Sequence, residues 1–325
     1  MELIRGLHNL RERHRGCVLS IGNFDGFHRG HQALIARLRH HSARTGLPVA
    51  VQIFEPTPRE LFAPAQAPGR IATFRDKLAQ LEAAGVQRAL CVRFGKRFAA
   101  IPAERYVEDI LVGKLGVKAI VVGDDFRFGA GRGGDLALLQ RMGAGLGFVA
   151  EGVGTVAADG ERVSSSAVRE ALALPDLAKA GRLLGRCYTL SGRVRRGLQL
   201  GRKLGMPTVN IVMRRQPALH FGVYVVRVSC GARSWDGVSS LGVRPTLARP
   251  RQQNSGAGSG CVLEAHLFGM DETLYGKVVD VEFRKFLRSE RRFESLDALA
   301  AQMQADGVQA RAWLMSAMDC RPTGN

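Results

Sequence analysis

With 325 residues, 46% of them hydrophobic, and no apolar run near the roughly 20 residues of a membrane span, the chain reads as a soluble protein of about two globular domains. Its six cysteines are scattered without C-x-x-C spacing, which argues against a disulfide scaffold or zinc ribbon and for reduced thiols in the cytoplasm. The formal charge of +18 attracts polyanions, but it is spread along the whole chain and aromatic residues are only 6%, so neither a specific nucleic acid nor a membrane is expected as partner.

In chain order, the N-terminal MELIRGLHNLRERHRG lacks the apolar core of a secretory signal, and no export is expected. Residues 17 to 184 alternate β-rich and helical runs, as parallel βαβ units do. Strands are predicted at Cys17–Ile21, Val49–Phe54, Ala89–Val92 and Ala119–Val122, with a weaker one near Gly147–Ala150. Helices are predicted to start near Gly30, Phe74, Pro102, Asp135 and Ser166. The pattern is an α/β, doubly wound parallel sheet, whose ligands belong at the carboxyl ends of its strands. From Cys187 the texture turns β-rich: Tyr188–Val194, Gly222–Val228, Ser234–Val238, Val262–Leu267 and Val278–Phe286 read as strands, with a helix from about Ser295. An antiparallel β-barrel closed by a C-terminal helix follows from that texture, and Arg249–Gly260 reads as a polar loop. Domains are therefore expected at 1–183 and 187–325, in a monomer or weak oligomer.

The first strand runs into Gly22-Asn23-Phe24-Asp25-Gly26-Phe27-His28-Arg29-Gly30-His31, and an amphipathic helix follows. Glycines allow sharp turns and close backbone approach to a ligand. His28 and His31, three apart, share a face once the helix has begun, at an N-terminus whose unpaired amides and dipole already favour phosphate. That arrangement suits nucleotidyl transfer, where the protein positions ATP and stabilises charge as pyrophosphate leaves.

The H-x-G-H signature within G-N-F-D-G-x-H-x-G-H resembles the FAD synthetase module of the prokaryotic bifunctional riboflavin kinase/FAD synthetases. The resemblance implies a nucleotidyltransferase-like sheet, with His28 and His31 catalytic and Gly22, Asn23, Phe24, Asp25 and Gly30 at the nucleotide. Phe54-Glu55-Pro56-Thr57-Pro58-Arg59-Glu60-Leu61-Phe62 is similar to the family's F-E-P-x-P-x-E-x-F loop. Val122 to Gly129 resembles its G-x-D-F-x-F-G segment, which implies flavin contacts from Asp125, Phe126 and Phe128. Val163 to Arg169 is similar to I-S-S-T-x-x-R, which implies that Ser164, Ser165, Ser166 and Arg169 handle phosphate, although Ser166 and Ala167 replace the usual Thr and Arg. Gly129 to Gly134 formally matches G-x-G-x-x-G, but Asp124 to Phe128 separate it from the strand, so a loop over bound flavin is expected there and not a dinucleotide site.

In the second half, Gly192, Gly197, Gly201 and Gly205, with interleaved cations including Lys203, suit a flap over a triphosphate. Pro207 disfavours helix for Met206, so the segment should be extended, with Thr208 and Asn210 on one side. Their oxygens form a corner suited to a magnesium ion on nucleotide phosphates. The stretch Gly201 to Asn210 resembles the riboflavin kinase signature G-R-x-L-G-x-P-T-x-N. That implies magnesium and ATP at Thr208 and Asn210, Glu264 as general base toward the ribityl 5′-hydroxyl, and flavin contact from Arg288. Together the two resemblances imply riboflavin, FMN, FAD, ATP, ADP and pyrophosphate as ligands, with Mg2+ as cofactor. Ser239-Ser240 and Gly269-Met270 depart from the family's usual Ala-Asn and Asp-Phe. Two rivals remain: a nucleotidyltransferase of other specificity with an inactive second domain, and a flavin-responsive nucleic-acid regulator. Thr208, Asn210 and Glu264 argue against the first, and absence of a helix-turn-helix or RNA-binding signature argues against the second.

Overall fold

A computed structural model describes residues 1–197, 206–213, 215–243 and 260–316. The expected flap residues Gly201, Lys203 and Gly205, and the polar loop up to Ser259, lie outside the described residues. The chain forms two compact units: Met1–Pro68 with Lys77–Ser165, and Gly69–Asp76 with the described residues from Ser166 onward.

The first unit is built on a six-stranded sheet of order β1-β4-β3-β2-β5-β6, parallel throughout. Its strands are β1 Glu2–Arg5, β2 Cys17–Ile21, β3 Val49–Phe54, β4 Arg88–Val92, β5 Val117–Gly123 and β6 Val149–Val153. The chain steps from β2 through β3 to β4 on one side, then returns to β5 on the other. The expected doubly wound sheet is thus present, and its order reverses between β2 and β5, where open α/β sheets bind ligands. Both β2 and β3 are buried on both faces, which is why they read as unbroken apolar runs. One face carries Leu19, Ile21, Leu90, Val92, Ile120 and Val122 into a core shared with Leu111 and Leu139. Each such side chain contributes roughly 1.5–3 kcal/mol when fully buried.

The helix Arg29–Thr45 starts after His28, whose backbone is extended, and stops at Gly46, which adopts φ 69° and donates its N–H to the Ser42 carbonyl at 2.8 Å. It buries Ile35, Leu38 and His41 at helical spacing. The helix Leu136–Leu146 is capped by Asp135, whose Oδ1 accepts the Leu138 N–H at 2.9 Å. Several elements escaped the sequence reading. β1 is four residues long, the hairpin strands β7 Ala157–Ala158 and β8 Glu161–Arg162 have two each, and Pro58–Phe62 is a helix within the expected loop. A readable signal marked that last one: Thr57 and Glu60 form a capping box with Pro58 at the first turn.

In the second unit, β9 Thr189–Arg195, β10 Thr208–Val212, β11 Gly222–Cys230, β12 Arg233–Val243, β13 Cys261–Leu267 and β14 Val278–Ser289 close a barrel of order β10-β13-β12-β11-β14-β9, with every neighbouring pair antiparallel. The interior is filled at period two by Tyr224, Val226 and Val228, by Leu263, Ala265 and Leu267, and by Val279, Val281 and Phe283. The helix Leu296–Ser316 begins at Ser295, whose Oγ accepts the Ala298 N–H at 3.1 Å. Helix Leu177–Leu184, capped by Asp176, belongs to this unit as well and was not foreseen.

Candidate active sites

Ligand-accepting space in the first unit opens at the reversal between β2 and β5. The chain leaves β2 through Gly22 and turns with Phe24 at φ 47°, Gly26 at φ 82° and Phe27 at φ 42°. Two aromatic residues held in the left-handed region are unusual, and such strain clusters at functional sites. The turn delivers His28 to the cap position and His31 to the first turn of the helix, with ring centroids 3.7 Å apart and planes 19° from parallel. Gly30 lies against the His28 ring, since a Cβ there would meet imidazole atoms at 3.2 Å.

Around this pair lies a cavity of about 260 Å³, lined among others by Gly22, Phe24, Asp125, Arg162, Ser164 and Ser165. Asp25 is buried, and its carbonyl accepts the Ser165 hydroxyl at 3.1 Å, tying the glycine-rich turn to the start of helix Ser165–Ala173. Arg162, on β8, was not singled out from sequence; it reaches Asp125 at 2.8 Å in this cavity. Asp125, expected at the flavin, stands on the histidine side. Asn23 is exposed, and Ser166 and Arg169 follow along the helix, where Arg169 Nε donates to the Gly69 carbonyl at 2.9 Å.

Beside it, sharing Ile21 and Phe126, lies a cavity of about 450 Å³ walled by Phe54, Phe62, Phe94, Phe98, Tyr106 and Phe128. Edge-to-face packing links Phe54 with Phe94 at 5.4 Å and Phe98 with Tyr106 at 5.9 Å, while Phe126 stacks on Phe128 at 5.6 Å. Arg59, Arg127 and Arg132 stand at its walls. The glycine run 129–134 forms part of this wall. Gly129 and Gly134 are small because Ala103 and the Phe128 ring lie against them. Only Phe126 and Phe128 were foreseen here. The other rings come from several elements, and although Phe54 and Phe62 share one loop motif and Phe94 and Phe98 lie four apart, no sequence pattern joins them all to one cavity.

The barrel carries a third cavity, of about 270 Å³, between strand residues Thr208, Val223, Ser240, Glu264 and Arg288 and the helix residues Leu299, Met303 and Asp306. Strand register explains the grouping. Asn210 pairs with Glu264, Glu264 with Ser240, Ser240 with Val223, and Val223 with Arg288, so these side chains form one transverse row. Arg288 is held by a two-pronged pair with the buried Asp306, at 2.9 and 2.7 Å, and Gln302 adds a third hydrogen bond at 2.7 Å. Burial pushes the Glu290 carboxyl in the same cavity up, against the lowering field of Arg288.

Asn210 Nδ2 lies 3.3 Å from Thr208 Oγ1, while Asn210 Oδ1 is buried and makes no hydrogen bond among the described residues. An unsatisfied buried oxygen beside a hydroxyl fits a hard cation such as Mg2+ carrying nucleotide phosphates. Among the described residues no cluster of three His, Cys, Asp or Glu side chains could hold a metal by itself. Gly197 abuts the Asn210 carboxamide, whereas Gly192 sits within β9, where its size is set by contact with Ile211.

A family model described as FAD synthetase matches residues 10–167, and one described as riboflavin kinase matches 184–314. The chain is 49% identical over 313 residues to a bifunctional riboflavin kinase/FMN adenylyltransferase of Escherichia coli K12, covering 96% of this chain and 97% of that one. It is 48% identical, with the same coverage, to the protein of that description from Pseudomonas fluorescens. Its fold is similar to a solved structure described as a macrolide-efflux protein from Streptococcus pneumoniae, at 25% identity, with a TM-score of 0.79 over 96% of this chain and 100% of that one. Among the described residues no helix is long and apolar enough to cross a membrane.

Proposed function

The chain belongs to the bifunctional riboflavin kinase/FMN adenylyltransferase family, and from that premise we propose how its two halves divide the chemistry. It converts riboflavin to FMN and FMN to FAD, with ATP as the donor in both steps. Residues 1–183 carry the adenylyl transfer and 187–325 the phosphoryl transfer, in the cytoplasm.

The observation that supports this division is the pairing of cavities in the first unit. The stacked histidines at a helix N-terminus adjoin an aromatic cavity, and the two spaces meet at Ile21 and Phe126. A flavin ring among Phe54, Phe62, Phe98, Tyr106 and Phe128 directs its 5′-phosphate toward the histidines. There a phosphate oxygen of FMN attacks the α-phosphorus of ATP, the α–β bridge breaks, and pyrophosphate leaves. His28, His31 and the helix amides donate to oxygens on which charge accumulates. Gly22, Asn23, Phe24, Asp25, Gly30, Ser164, Ser165, Ser166 and Arg169 hold the nucleotide, and Asp125 stands between the two ligands.

In the barrel, Glu264 takes the proton of the ribityl 5′-hydroxyl as its oxygen attacks the γ-phosphorus and ADP departs. Thr208 Oγ1 and Asn210 Oδ1 are the protein oxygens for magnesium, which when bound screens the phosphate charge. Arg288, locked by Asp306, orients the flavin, and Gly192, Gly197, Gly201, Lys203 and Gly205 belong to the nucleotide side. The test is direct: purified protein is incubated with riboflavin, ATP and magnesium, and the flavins are resolved by chromatography. FMN and then FAD are expected, and the His28→Ala, His31→Ala double variant should stop at FMN. Loss of both products from that folded variant would overturn the division.

A further inference from the structure

The two side chains of the proposed magnesium corner in the barrel are not held equally. Asn210 is buried and paired on both sides, with Arg195 of β9 and Glu264 of β13. Thr208 is the first residue of β10 and pairs with His266 of β13; among the described residues β9 meets β10 at Asn210 and Ile211 and not at Thr208. A residue at the open end of a ladder, paired on one side, is where a strand frays. The contact between the two side chains does not prevent this, because Asn210 Nδ2 and Thr208 Oγ1 are 3.3 Å apart, which is long for a hydrogen bond.

His266 supplies a second hold. Its Nδ1 lies 3.0 Å from the carbonyl oxygen of Pro207, the residue before Thr208, and so ties the chain one position beyond the end of the ladder. A carbonyl oxygen only accepts, so Nδ1 carries the proton, and in the neutral ring Nε2 is left as an acceptor. The imidazole is fixed in turn. Phe268 meets it edge-on at 5.8 Å, and the Arg311 guanidinium of the helix Leu296–Ser316 stands 3.8 Å from the centre of the Phe268 ring. On the β12 side Gly237 lets the backbones come close, since a Cβ there would collide with the His266 carbonyl oxygen. His266 and Glu264, two apart on β13, both line the barrel cavity with Thr208, so this imidazole belongs to the wall of the site.

We propose that His266 is a positioning residue for phosphoryl transfer: its Nδ1–H holds the Pro207 carbonyl, and through that peptide sets the Thr208 hydroxyl against the Asn210 carboxamide as one fixed corner for a magnesium nucleotide. The inference rests on the reading of Thr208 and Asn210 as that corner. It assigns His266 no contact with ATP, metal or flavin. A rotation about the bonds joining Pro207 to Thr208 moves the hydroxyl while leaving Asn210 in place, and a hydrogen bond to the carbonyl opposes that rotation because such bonds are directional. Magnesium demands near-ideal geometry of its oxygens, so a corner set in advance costs less to assemble than one that must be ordered on binding.

The experiment uses the full chain. His266→Phe keeps a ring against Phe268 and removes the donor, whereas His266→Asn places an amide N–H close to where Nδ1 stands. In riboflavin phosphorylation, His266→Phe should raise the Michaelis constant for magnesium ATP by about fivefold, the worth of one hydrogen bond, with kcat and the constant for riboflavin within about twofold of the parent. His266→Asn should bring the constant for ATP back to within about twofold, and adenylyl transfer should be unchanged in both variants. Adding Thr208→Ala to His266→Phe should do no more than Thr208→Ala alone, because the imidazole acts through Thr208. A readout independent of turnover comes from nitrogen NMR of labelled histidine: the neutral His266 ring, assigned by its loss in His266→Phe, should carry its proton on Nδ1. The inference is overturned if that proton sits on Nε2, if His266→Asn is no better than His266→Phe, or if His266→Phe raises the constant for riboflavin and not that for ATP. Thr208→Ala separates the premise from the inference. If it leaves magnesium ATP use unaltered, the reading of the corner fails; if it impairs ATP use while His266→Phe is silent, only the role of His266 fails.

Discussion

Single residues carry the sharpest consequences of this arrangement. Glu264 lies beside Asn210 and Ser240 in strand register and opens on the barrel cavity, so Glu264→Gln removes a proton acceptor with little change of shape. Riboflavin phosphorylation should fall by about a hundredfold or more while calorimetric flavin binding is retained, the signature of an interaction made in the transition state. Normal turnover in that variant would remove Glu264 from its role. Replacing both His28 and His31 by Ala acts on the other reaction alone: FAD formation from FMN should be lost and FMN formation from riboflavin preserved. The sequence singles out His28 and His31 through their spacing in a glycine-rich turn, and Glu264 only through the resemblance to the riboflavin kinase module. Arg162 and the rings of the aromatic cavity other than Phe126 and Phe128 were not singled out, since they come from elements far apart in the chain.

At the scale of elements, what matters is how firmly helices are fixed to the sheet. Asp135 caps the helix Leu136–Leu146, and Asp135→Ala should lower stability by about 1 kcal/mol, seen as an earlier denaturant midpoint at unchanged slope. The helix that bears His31 is fastened to β6 through Glu151, which meets Arg37 Nε at 2.6 Å and His41 Nε2 at 2.7 Å. The Arg37 hydrogen bond, aided by His41, holds the Glu151 carboxyl below its ordinary value of 4.5 against the opposing effect of burial. A carboxylate depressed in the folded state contributes stability that is fully present above its ordinary value and lost as pH falls through the folded one. Glu151→Gln should therefore unfold at a lower temperature than the parent near pH 7, and the two melting curves should converge below pH 4.5. A difference that persists at low pH would assign the loss to packing. Helix starts at Arg29, Phe74 and Leu136 fall within a residue of the expected ones, whereas Leu177–Leu184, behind its Asp176 cap, was missed beside the preceding helical run.

For the whole molecule, the boundary between units is the feature that sequence texture alone placed differently from the contacts. Texture changes at Cys187, yet the barrel's compact unit includes Gly69–Asp76 and the helices from Ser166. Within that unit Arg70 N–H donates to the Gln216 carbonyl at 2.9 Å, Ala218 N–H to the Arg70 carbonyl at 2.8 Å, and the buried Asp76 accepts the Ser191 N–H at 3.1 Å. A fragment beginning at Leu184 keeps the closed barrel and all the residues proposed for phosphorylation, so it should phosphorylate riboflavin but unfold at lower denaturant than the full chain. A folded, inert fragment would show that the barrel is not a kinase by itself. The linear chain by itself determined the parallel and antiparallel halves and most of their strands, because hydrophobic period and glycine and proline spacing act over a few residues. Only tertiary structure decided that Asp125 stands with the histidines and that seven aromatic residues wall one cavity. Those facts depend on which strands become neighbours, and strand order and register are set by the packing of the whole sheet.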